Sequence, residues 1–284
     1  MKFGKVEFKK EIQLNLPAFS FHQDGNRQHE PLLEIITAGT VWNVPEWKGI
    51  HIPKKTKTSD CLKEYSQLFS AIEFNGSFYR IPTRDQVRKW RDQVNDTFLF
   101  CPKWPQAISH WRQFENCERD LDQFFLALDA FSGNLGMSFI QLPHHFSIQK
   151  KDRLISFLER LPHDLKLAVE FRHASWFENG ELQKLAPYFA ARNWSMIICD
   201  TLGRRDAVHG EITSTDIIIR FGGMFDTPAD EQRIHEWTTN YDLLRQNGVQ
   251  RVWVWIHQEN SIRTPESAAQ WLNEMREMPF IQGR

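Results

Sequence analysis

The sequence predicts an α/β protein built as a (β/α)8 TIM barrel, and three observations lead to this prediction. Eight short apolar runs that are rich in β-forming residues recur along the chain. Segments with helical spacing lie between most of these runs, which favours a parallel sheet. The length of 284 residues is the usual size of one such barrel. Ligands of a barrel bind at the carboxyl ends of its strands.

The eight predicted strands are near-continuous apolar runs, and each ends on a polar or charged residue. They cover residues 34–40, 71–75, 98–103, 137–141, 166–172, 195–200, 216–220 and 251–257. Near-continuous apolar runs of this length suit parallel strands that are buried on both faces. The polar residues at their ends are therefore expected to line one shared pocket.

The intervening helices are predicted from apolar residues at helical spacing. Two examples are the sets Leu121, Phe124, Phe125, Leu128, Phe131 and Leu154, Phe157, Leu158, Leu161. Residues 201–215 are rich in glycine and charge and have little helical periodicity. The sixth helix is therefore predicted to be irregular or missing.

The predicted domain organisation is an N-terminal extension over residues 1–30 and a single TIM-barrel domain over residues 31–284. An open doubly wound sheet is the competing architecture, and it normally has a glycine-rich phosphate turn after its first strand. Neither GxGxxG nor GxxxxGK[ST] occurs in the sequence.

Charge and cysteine content limit the classes of partner. The formal net charge of -1 and the pI near 6.8 give no overall attraction to nucleic acid or to an anionic membrane. Four cysteines lie far apart without a CxxC pair, which is typical of reduced thiols. The first residues are polar and resemble no secretory signal, and no stretch approaches membrane-spanning length. We therefore expect a cytoplasmic protein without a membrane partner, whose oligomeric state the sequence leaves unknown.

Several motifs occur in a specific order. They are Trp42, Trp47, Gly49 and Pro53; the run from Glu73 to Pro82; Trp90; the run from Phe98 to Lys103 with Ser109 and His110; Gln141-Leu142-Pro143; Glu170-Phe171-Arg172-His173 with Ser175 and Trp176; Asp200; and Arg220-Phe221-Gly222. In this order, from about Gly39 to the C-terminus, the chain resembles the YecE-like proteins, catalogued as domain of unknown function 72 and described as related to sugar isomerases. The resemblance implies a TIM barrel and no known reaction.

Two corners of the sequence depart from that family pattern. The opening Gly-Thr motif is one residue short. The last strand leaves through His257-Gln258-Glu259-Asn260, where the family pattern has an aromatic residue followed by two asparagines and an aspartate.

Candidate functional residues are those at or just after the predicted strand ends. The catalytic candidates are Glu73, His110, Glu170, His173 and Asp200. The substrate-binding candidates are Asn75, Tyr79, Arg80, Lys103, Gln141, Arg172, Trp176, Arg220 and His257.

Two physical arguments select these residues. Side chains alternate along a strand, so Glu170 and Arg172 are expected on one face, as are Glu73 and Asn75. Cations at strand ends suit an anionic ligand such as a phosphate or a carboxylate, and histidines there suit proton transfer near neutral pH.

Three alternatives remain at this point. The carboxylates Glu73, Glu170 and Asp200 could simply neutralise the strand-end cations, because a buried charge requires a partner. A divalent metal could bind the same carboxylates together with His257, although no HxH or HExxH spacing occurs and nearby cations would compete. Tryptophans that follow the strands, among them Trp42, could pack under loops or stack on a sugar or a base.

The sequence thus predicts an enzyme that acts by acid/base chemistry on a small anionic or sugar-like substrate, phosphorylated or not. Its cofactor is unknown, and a metal is not favoured. The alternative is a nucleic-acid-binding or processing module that uses tryptophan-rich loops and strand-end lysines and arginines. Nucleophilic catalysis is not supported, since no GxSxG occurs and the cysteines fall inside predicted strands or helices.

Overall fold

A computed structural model describes residues 13–23, 32–224 and 227–283 of the chain. The strands are β1 (Ser20–Phe21), β2 (Leu33–Gly39), β3 (Ala71–Phe74), β4 (Leu99–Pro102), β5 (Ser138–Gln141), β6 (Leu167–Glu170), β7 (Ser195–Met196), β8 (Ile198–Thr201), β9 (Glu211–Ile212), β10 (Asp216–Gly223), β11 (Arg251–Gln258) and β12 (Ile281–Gly283). The α-helices are α1 (Cys61–Leu68), α2 (Gly76–Tyr79), α3 (Arg84–Arg91), α4 (Glu118–Phe131), α5 (Lys151–Leu158), α6 (Glu181–Ala190), α7 (Pro228–Thr239), α8 (Tyr241–Gln246) and α9 (Thr264–Glu274).

The α/β class is confirmed, and each of the eight predicted apolar runs contains a strand. The sixth run is divided between β7 and β8. Three short strands, β1, β9 and β12, were not predicted, because two or three residues give no measurable periodicity. Helix α2 is a single turn that follows β3.

Contacts divide the chain into two compact units. The first unit is Ala38–Trp176, and the described part of the second unit is residues 13–23, 32–37, 177–224 and 227–283. Strand β2 gives its last two residues to the first unit and its first five to the second.

In the first unit, parallel strands lie side by side from β3 to β6. Strand β3 pairs with β4, and β5 pairs with β6. Two parallel bridges link β4 to β5. One joins Phe100 of β4 to Leu135, which precedes β5, and the other joins Lys103, which follows β4, to Phe139 of β5. Every residue of β3, β5 and β6 is buried. The carboxyl ends of these strands therefore meet at one edge of the unit.

Helices of the first unit cover these strands with apolar and aromatic side chains. The residues of α4 that are predicted at helical spacing include Leu121, Phe124 and Leu128, and all three are buried. Helix α3 begins with a capping box, in which Thr83 Oγ1 accepts from the Gln86 N–H and Gln86 Oε1 accepts from the Thr83 N–H. The cap satisfies backbone donors that the first helical turn leaves open.

In the second unit, a parallel sheet has the order β12, β2, β11, β10, β8. Only the first five residues of β2 belong to this unit. A separate pair is formed by β1 and β9, where Ser20 lies opposite Glu211. Gly210 precedes β9, and a Cβ at this position would lie 2.0 Å from the Ala18 carbonyl oxygen. Only glycine therefore allows this close approach of the two segments.

The segment after β8 was predicted to lack a regular helix, and this is confirmed. Residues 201–215, all described, contain one turn of 3-10 helix at Arg205–Ala207 and strand β9, without an α-helix. None of the helices in the described part of the chain combines the length and the apolar character that a membrane crossing needs.

The predicted boundary between an extension (1–30) and a single domain (31–284) stays a prediction. Residues 1–12 and 24–30 of that extension lie outside the described residues. The described segment 13–23 packs within the second unit, where Arg205 donates to the carbonyls of Gln13 and Leu14. All four cysteines are buried, and none of them forms a disulfide in the structure.

Candidate functional site

A chain of hydrogen-bonded polar side chains lies at the carboxyl ends of the first-unit strands. Lys103 Nζ donates to Gln141 Oε1 at 2.8 Å, and Gln141 Nε2 donates to Glu170 Oε2 at 2.7 Å. The Arg172 guanidinium lies 3.0 Å from Glu170 Oε1 and also donates to Gln141 Oε1 at 3.3 Å. These four predicted site residues are therefore brought together, with Gln141 at their centre.

This chain is almost entirely removed from solvent. Glu170 is fully buried, and Lys103, Gln141 and Arg172 expose 4%, 3% and 9% of their surface. Charges at such depth are costly unless they are paired and hydrogen-bonded. The ion pair between Arg172 and Glu170 supplies that pairing for one cation, and this is what the alternative of mutual neutralisation predicts for these two residues.

Glu73 and Asn75 occupy the neighbouring strand end. Glu73 is fully buried in β3, and Asn75 Nδ2 donates to its Oε1 at 2.9 Å. The contact confirms that the two side chains lie on one face, as the strand alternation predicts. Ser77 follows on α2, and its hydroxyl donates to the Lys103 carbonyl at 2.7 Å, which ties this loop to the end of β4.

A π-helix at Ala107–Trp111 carries His110 beside these residues. Its imidazole Nδ1 lies 2.9 Å from Ser109 Oγ, and its ring meets Phe78 edge-on at 4.9 Å. The same Phe78 ring lies 4.2 Å from Lys103 Nζ. His110 and the buried Lys103 therefore both contact the ring of Phe78.

The surroundings of His110 are positively charged. Burial, followed by the charges of Lys103 and Arg172, lowers the pKa of His110 to about 4, with smaller contributions from His145 and His144. A histidine among cations is neutral at pH 7 and is available as a hydrogen-bond acceptor or base.

The backbone that follows the π-helix is unusual. Gln113, Phe114 and Asn116 have positive φ angles of 47°, 72° and 47°. Non-glycine residues rarely adopt this region, and Phe114 does so while fully packed. Both π-helical turns and left-handed residues are enriched at functional sites, so this segment supports a functional role for the loop that carries His110.

Two predicted ligand contacts, Tyr79 and Arg80, lie at the exposed rim of this end. Tyr79 is 72% exposed and meets Phe78 edge-on at 5.1 Å. Trp111 is 71% exposed and directly follows His110 in the π-helix. Exposed aromatic rings of this size offer stacking surfaces.

His173 and Trp176 follow the end of β6 and have different environments. His173 is half-buried, and its Nδ1 accepts from the Ser175 N–H at 3.1 Å. Trp176 is fully buried, and its indole N–H donates to the Phe146 carbonyl at 2.7 Å. The burial of Trp176 favours a packing role over the predicted contact with a substrate, because its ring presents no face to solvent.

The other tryptophans that follow strands are divided in the same way. Trp47 and Trp104 are buried, and Trp42 is half-buried and stacks on Phe74 at 5.6 Å. These contacts agree with packing under loops.

Sequence reasoning missed a polar rim beyond β5. His144 and His145 are exposed, with ring centroids 5.2 Å apart. Gln113 lies 3.4 Å from His145 Nε2 and accepts from Lys150 Nζ at 2.6 Å. Burial, followed by the charges of His144 and Lys150, lowers the pKa of His145. The signal was the His-His pair directly after Gln141-Leu142-Pro143, which the sequence argument did not weigh.

Asp200 lies in the second unit, and its contacts favour a structural role. Strand β8 pairs with β10 so that Asp200 lies opposite Phe221, whereas Arg220 lies opposite Cys199. Asp200 therefore shares a face with Phe221, which helix α7 covers, and not with Arg220.

The carboxylate of Asp200 is fully occupied on that face. Arg233 Nη1 and Trp237 Nε1 of α7 each donate to it at 2.8 Å, and Arg205 forms a further ion pair. Arg233 also binds Asp230 at 2.5 Å and is itself fully buried. The predicted proton-handling role of Asp200 stays a prediction, and these contacts argue against it.

The remaining second-unit candidates are Arg220, which is buried within β10, and His257, which is half-buried near the end of β11. Strand pairing places Gly222 opposite His257. Their predicted roles as ligand contacts stay predictions. Across the described residues, no group of three or more His, Cys, Asp and Glu side chains is arranged to hold a metal ion.

The architecture and the strand-end cluster define the class of the protein: an α/β protein with mostly parallel sheets and charged side chains at the carboxyl ends of its first-unit strands. The chain belongs to the family described as "Protein of unknown function DUF72", whose model matches residues 37–281. The resemblance to YecE-like proteins is thereby confirmed at the level of the family.

Two relatives illustrate the similarity in sequence. The UPF0759 protein YecE of Escherichia coli (strain K12) is 27% identical over 244 residues, which cover 79% of this chain and 86% of YecE. The UPF0759 protein YunF of Bacillus subtilis (strain 168) is 30% identical over 157 residues, which cover 52% of this chain and 55% of YunF.

Two solved structures of DUF72 proteins share the fold. The protein from Enterococcus faecalis V583 matches with a TM-score of 0.65 at 17% identity and covers 87% of this chain and 99% of its own. The protein from Thermotoga maritima MSB8 matches with a TM-score of 0.62 at 21% identity and covers 86% of this chain and 98% of its own. At these identities the likeness concerns the fold alone.

Proposed function

We propose that the protein is an enzyme that binds a small anionic or sugar-like substrate at the carboxyl ends of β3 to β6 and acts on it by acid/base chemistry. The observation that carries the proposal is the hydrogen-bonded cluster of Lys103, Gln141, Glu170 and Arg172. It lies beside His110, whose pKa is lowered by burial and then by the charges of Lys103 and Arg172. The reaction class is open among isomerase, lyase and hydrolase chemistry, and the cofactor is unknown.

The anionic character of the substrate follows from the charges around His110. Burial lowers the pKa of His110 most, and the positive charges of Lys103 and Arg172 lower it further. The positive charges of Lys103 and Arg172 would attract an anion bound there, and no further buried cation would be needed to balance its charge. Arg172 adds planar donors suited to a phosphate or a carboxylate.

The acid/base part of the proposal rests on Glu73 and His110. Glu73 is fully buried at a strand end with Asn75 as a hydrogen-bond donor, and a buried carboxyl group is a common proton carrier in enzymes. His110 is half-buried and neutral at pH 7. Glu170 is bound by Gln141 and Arg172, which suits a residue that positions these donors.

The wider architecture in this proposal is a TIM barrel related to those of sugar isomerases. The support is the alternation of strands and helices and the parallel pairing inside each unit. Arg220 and His257 are proposed as further ligand contacts in such a barrel. A cytoplasmic location belongs to the same set of expectations.

A nucleic-acid-binding or processing module is the second candidate, and one observation favours it. Trp111 and Tyr79 are exposed beside a cationic cluster, which is the combination that stacks bases and contacts phosphates. The formal net charge of -1 is evidence against an extended electrostatic footprint.

A thermal-shift screen separates these candidates. The purified protein is tested against sugar phosphates, organic acids, nucleotides, short single-stranded oligonucleotides and divalent metals, and so is Arg172→Ala. A ligand that binds only the folded state raises the midpoint of unfolding. The proposal expects a shift with a small anion that Arg172→Ala abolishes. Shifts with oligonucleotides alone, which fall steeply as salt is added, would overturn it in favour of the second candidate.

A further inference from the structure

Two histidines near the strand ends of the first unit are anchored in the same manner. His110 Nδ1 lies 2.9 Å from Ser109 Oγ, and His173 Nδ1 lies 2.8 Å from Ser175 Oγ. Neither Nε2 atom has a hydrogen-bond partner among the described residues. Both residues are half-buried, and each ring has its Nδ1 held by a serine.

The hydrogen bonds of His173 determine where its ring proton lies. The Ser175 backbone N–H donates to Nδ1 at 3.1 Å, and a backbone N–H can only donate. Nδ1 must therefore be an acceptor, and the neutral ring carries its hydrogen on Nε2. Ser175 Oγ accepts from the Ile148 N–H at 3.0 Å, which leaves its own hydrogen free to donate to Nδ1 as well.

His110 differs in this respect. Its anchor is the hydroxyl of Ser109, which also lies 3.1 Å from the Pro105 carbonyl oxygen. A hydroxyl both donates and accepts, so the anchor allows either tautomer of His110. The two histidines are therefore not equivalent: one tautomer is fixed by backbone geometry, and the other is free to change.

We propose that His173 is a fixed hydrogen-bond donor, whose Nε2–H binds an oxygen atom of an anionic ligand and takes no part in proton transfer. This inference rests on the proposed anion site and assigns one contact within it. Ser175 is the positioning residue, because its N–H and hydroxyl hold Nδ1 as an acceptor. The ligand chemistry is a phosphate or a carboxylate, since each offers oxygen lone pairs to a neutral donor.

The position of His173 in the chain supports this assignment. It directly follows Arg172, whose guanidinium is bound to Glu170 at the strand end. An Nε2–H donor in the loop that follows Arg172 would add a hydrogen bond to the ligand without a further buried cation. Proton transfer is left to His110, whose anchor tolerates a change of protonation.

Nuclear magnetic resonance tests the tautomer directly. In the full chain labelled with 15N-histidine, long-range 1H–15N spectra report which ring nitrogen carries hydrogen. His173→Gln and His163→Gln assign the signals, and His163 is an exposed histidine before β6 that serves as the control. The expected result at pH 7 is hydrogen on Nε2 of His173 alone and a mixture of tautomers for His163.

Inorganic phosphate and succinate are then added in separate experiments. The Nε2–H proton of His173 is expected to shift with one or both anions, and the comparison distinguishes phosphate from carboxylate chemistry. His173→Ala should weaken the affinity for that anion about tenfold or more, because a hydrogen bond to a charged group is lost. His173→Gln, whose amide N–H replaces Nε2–H, should stay within about threefold of wild type. His163→Ala should leave the affinity unchanged.

The possible failures are distinguishable. Hydrogen on Nδ1 of His173, or a mixture of tautomers, overturns the inference and leaves the proposed anion site standing. An anion that changes the signals of the Arg172 side chain but not those of His173 would also overturn the inference and leave the proposed anion site standing. If neither anion changes any side chain of the site, both this inference and the proposed function fail.

Discussion

Arg172 and Glu170 form a buried ion pair 3.0 Å long between two side chains that lie two residues apart at the end of β6. The pair is linked through Gln141 to Lys103, so that one amide side chain connects both cations of the cluster. The arrangement keeps two positive charges in place in a site with little solvent. It also makes the stability of the cluster and its ability to bind an anion depend on the same residues.

Replacement of Arg172 by alanine is expected to lower the free energy of unfolding by about 3 kcal/mol, since the loss of one partner of a buried ion pair leaves a poorly compensated charge. Urea unfolding measures the change. The matched control is Arg153→Ala, which removes an exposed pair with Glu115 and should cost less than about 1 kcal/mol. Equal losses in the two variants would contradict the assignment of Arg172 to a buried cluster.

Anion binding should be coupled to proton uptake by His110. Burial and the cations Lys103 and Arg172 lower the pKa of His110 to about 4, and a bound anion offsets those charges and raises it. The bound state therefore holds more protons between the two pKa values, so the affinity rises as pH falls, by up to about tenfold per pH unit. Sulfate is a suitable probe because its own charge is constant across this range.

Calorimetric titration of sulfate between pH 7 and pH 5 measures this coupling. His110→Gln should bind sulfate with an affinity that no longer changes with pH. A pH dependence that survives in this variant would show that another group takes up the proton.

Asp200→Asn is expected to destabilise the protein by about 3 kcal/mol or more without a change in anion affinity, because the substitution removes the charge that Arg205 and Arg233 face in a buried site. Denaturant unfolding and phosphate titration measure the two properties separately. Asp206→Asn, at a partly exposed pair with Arg204, is the control and should have little effect on either property. Loss of phosphate affinity in a folded Asp200→Asn protein would restore Asp200 to the functional site.

Trp111 and Trp176 should respond in opposite ways to alanine substitution. Trp176→Ala removes a fully buried ring and should cost about 3–5 kcal/mol of stability. Trp111→Ala removes an exposed ring and should stay within about 0.5 kcal/mol of wild type. Fluorescence-monitored unfolding compares them. A Trp111→Ala protein that loses affinity for single-stranded oligonucleotides, with unchanged phosphate binding, would favour the nucleic-acid candidate.

The sequence predicted the strands because parallel strands buried on both faces leave a continuous apolar signal. It also predicted that Glu170 and Arg172 lie on one face, and their ion pair agrees with this although β6 ends at Glu170. The environment of Asp200 could not be predicted in this way. Its position at a strand end suggested the pocket, but the face it occupies depends on the register with β10 and on the packing of α7.

The loops of the site were less predictable for a different reason. The π-helix around His110 and the left-handed conformation of Phe114 depend on tertiary contacts and have no glycine to signal them. The roles of Ser109 and Ser175 as anchors of histidine rings likewise depend on local hydrogen bonds that a sequence pattern does not encode.

The central claim is that an anion binds beside Lys103 and Arg172 at the carboxyl ends of the first-unit strands. The most direct test is a crystal structure of the wild-type protein saturated with inorganic phosphate at the concentration that titration shows to be sufficient. The account predicts a phosphate within hydrogen-bonding distance of the Arg172 guanidinium and of an Nε2 atom of His110 or His173. Phosphate bound elsewhere, with this cluster unchanged and without an anion, would contradict it.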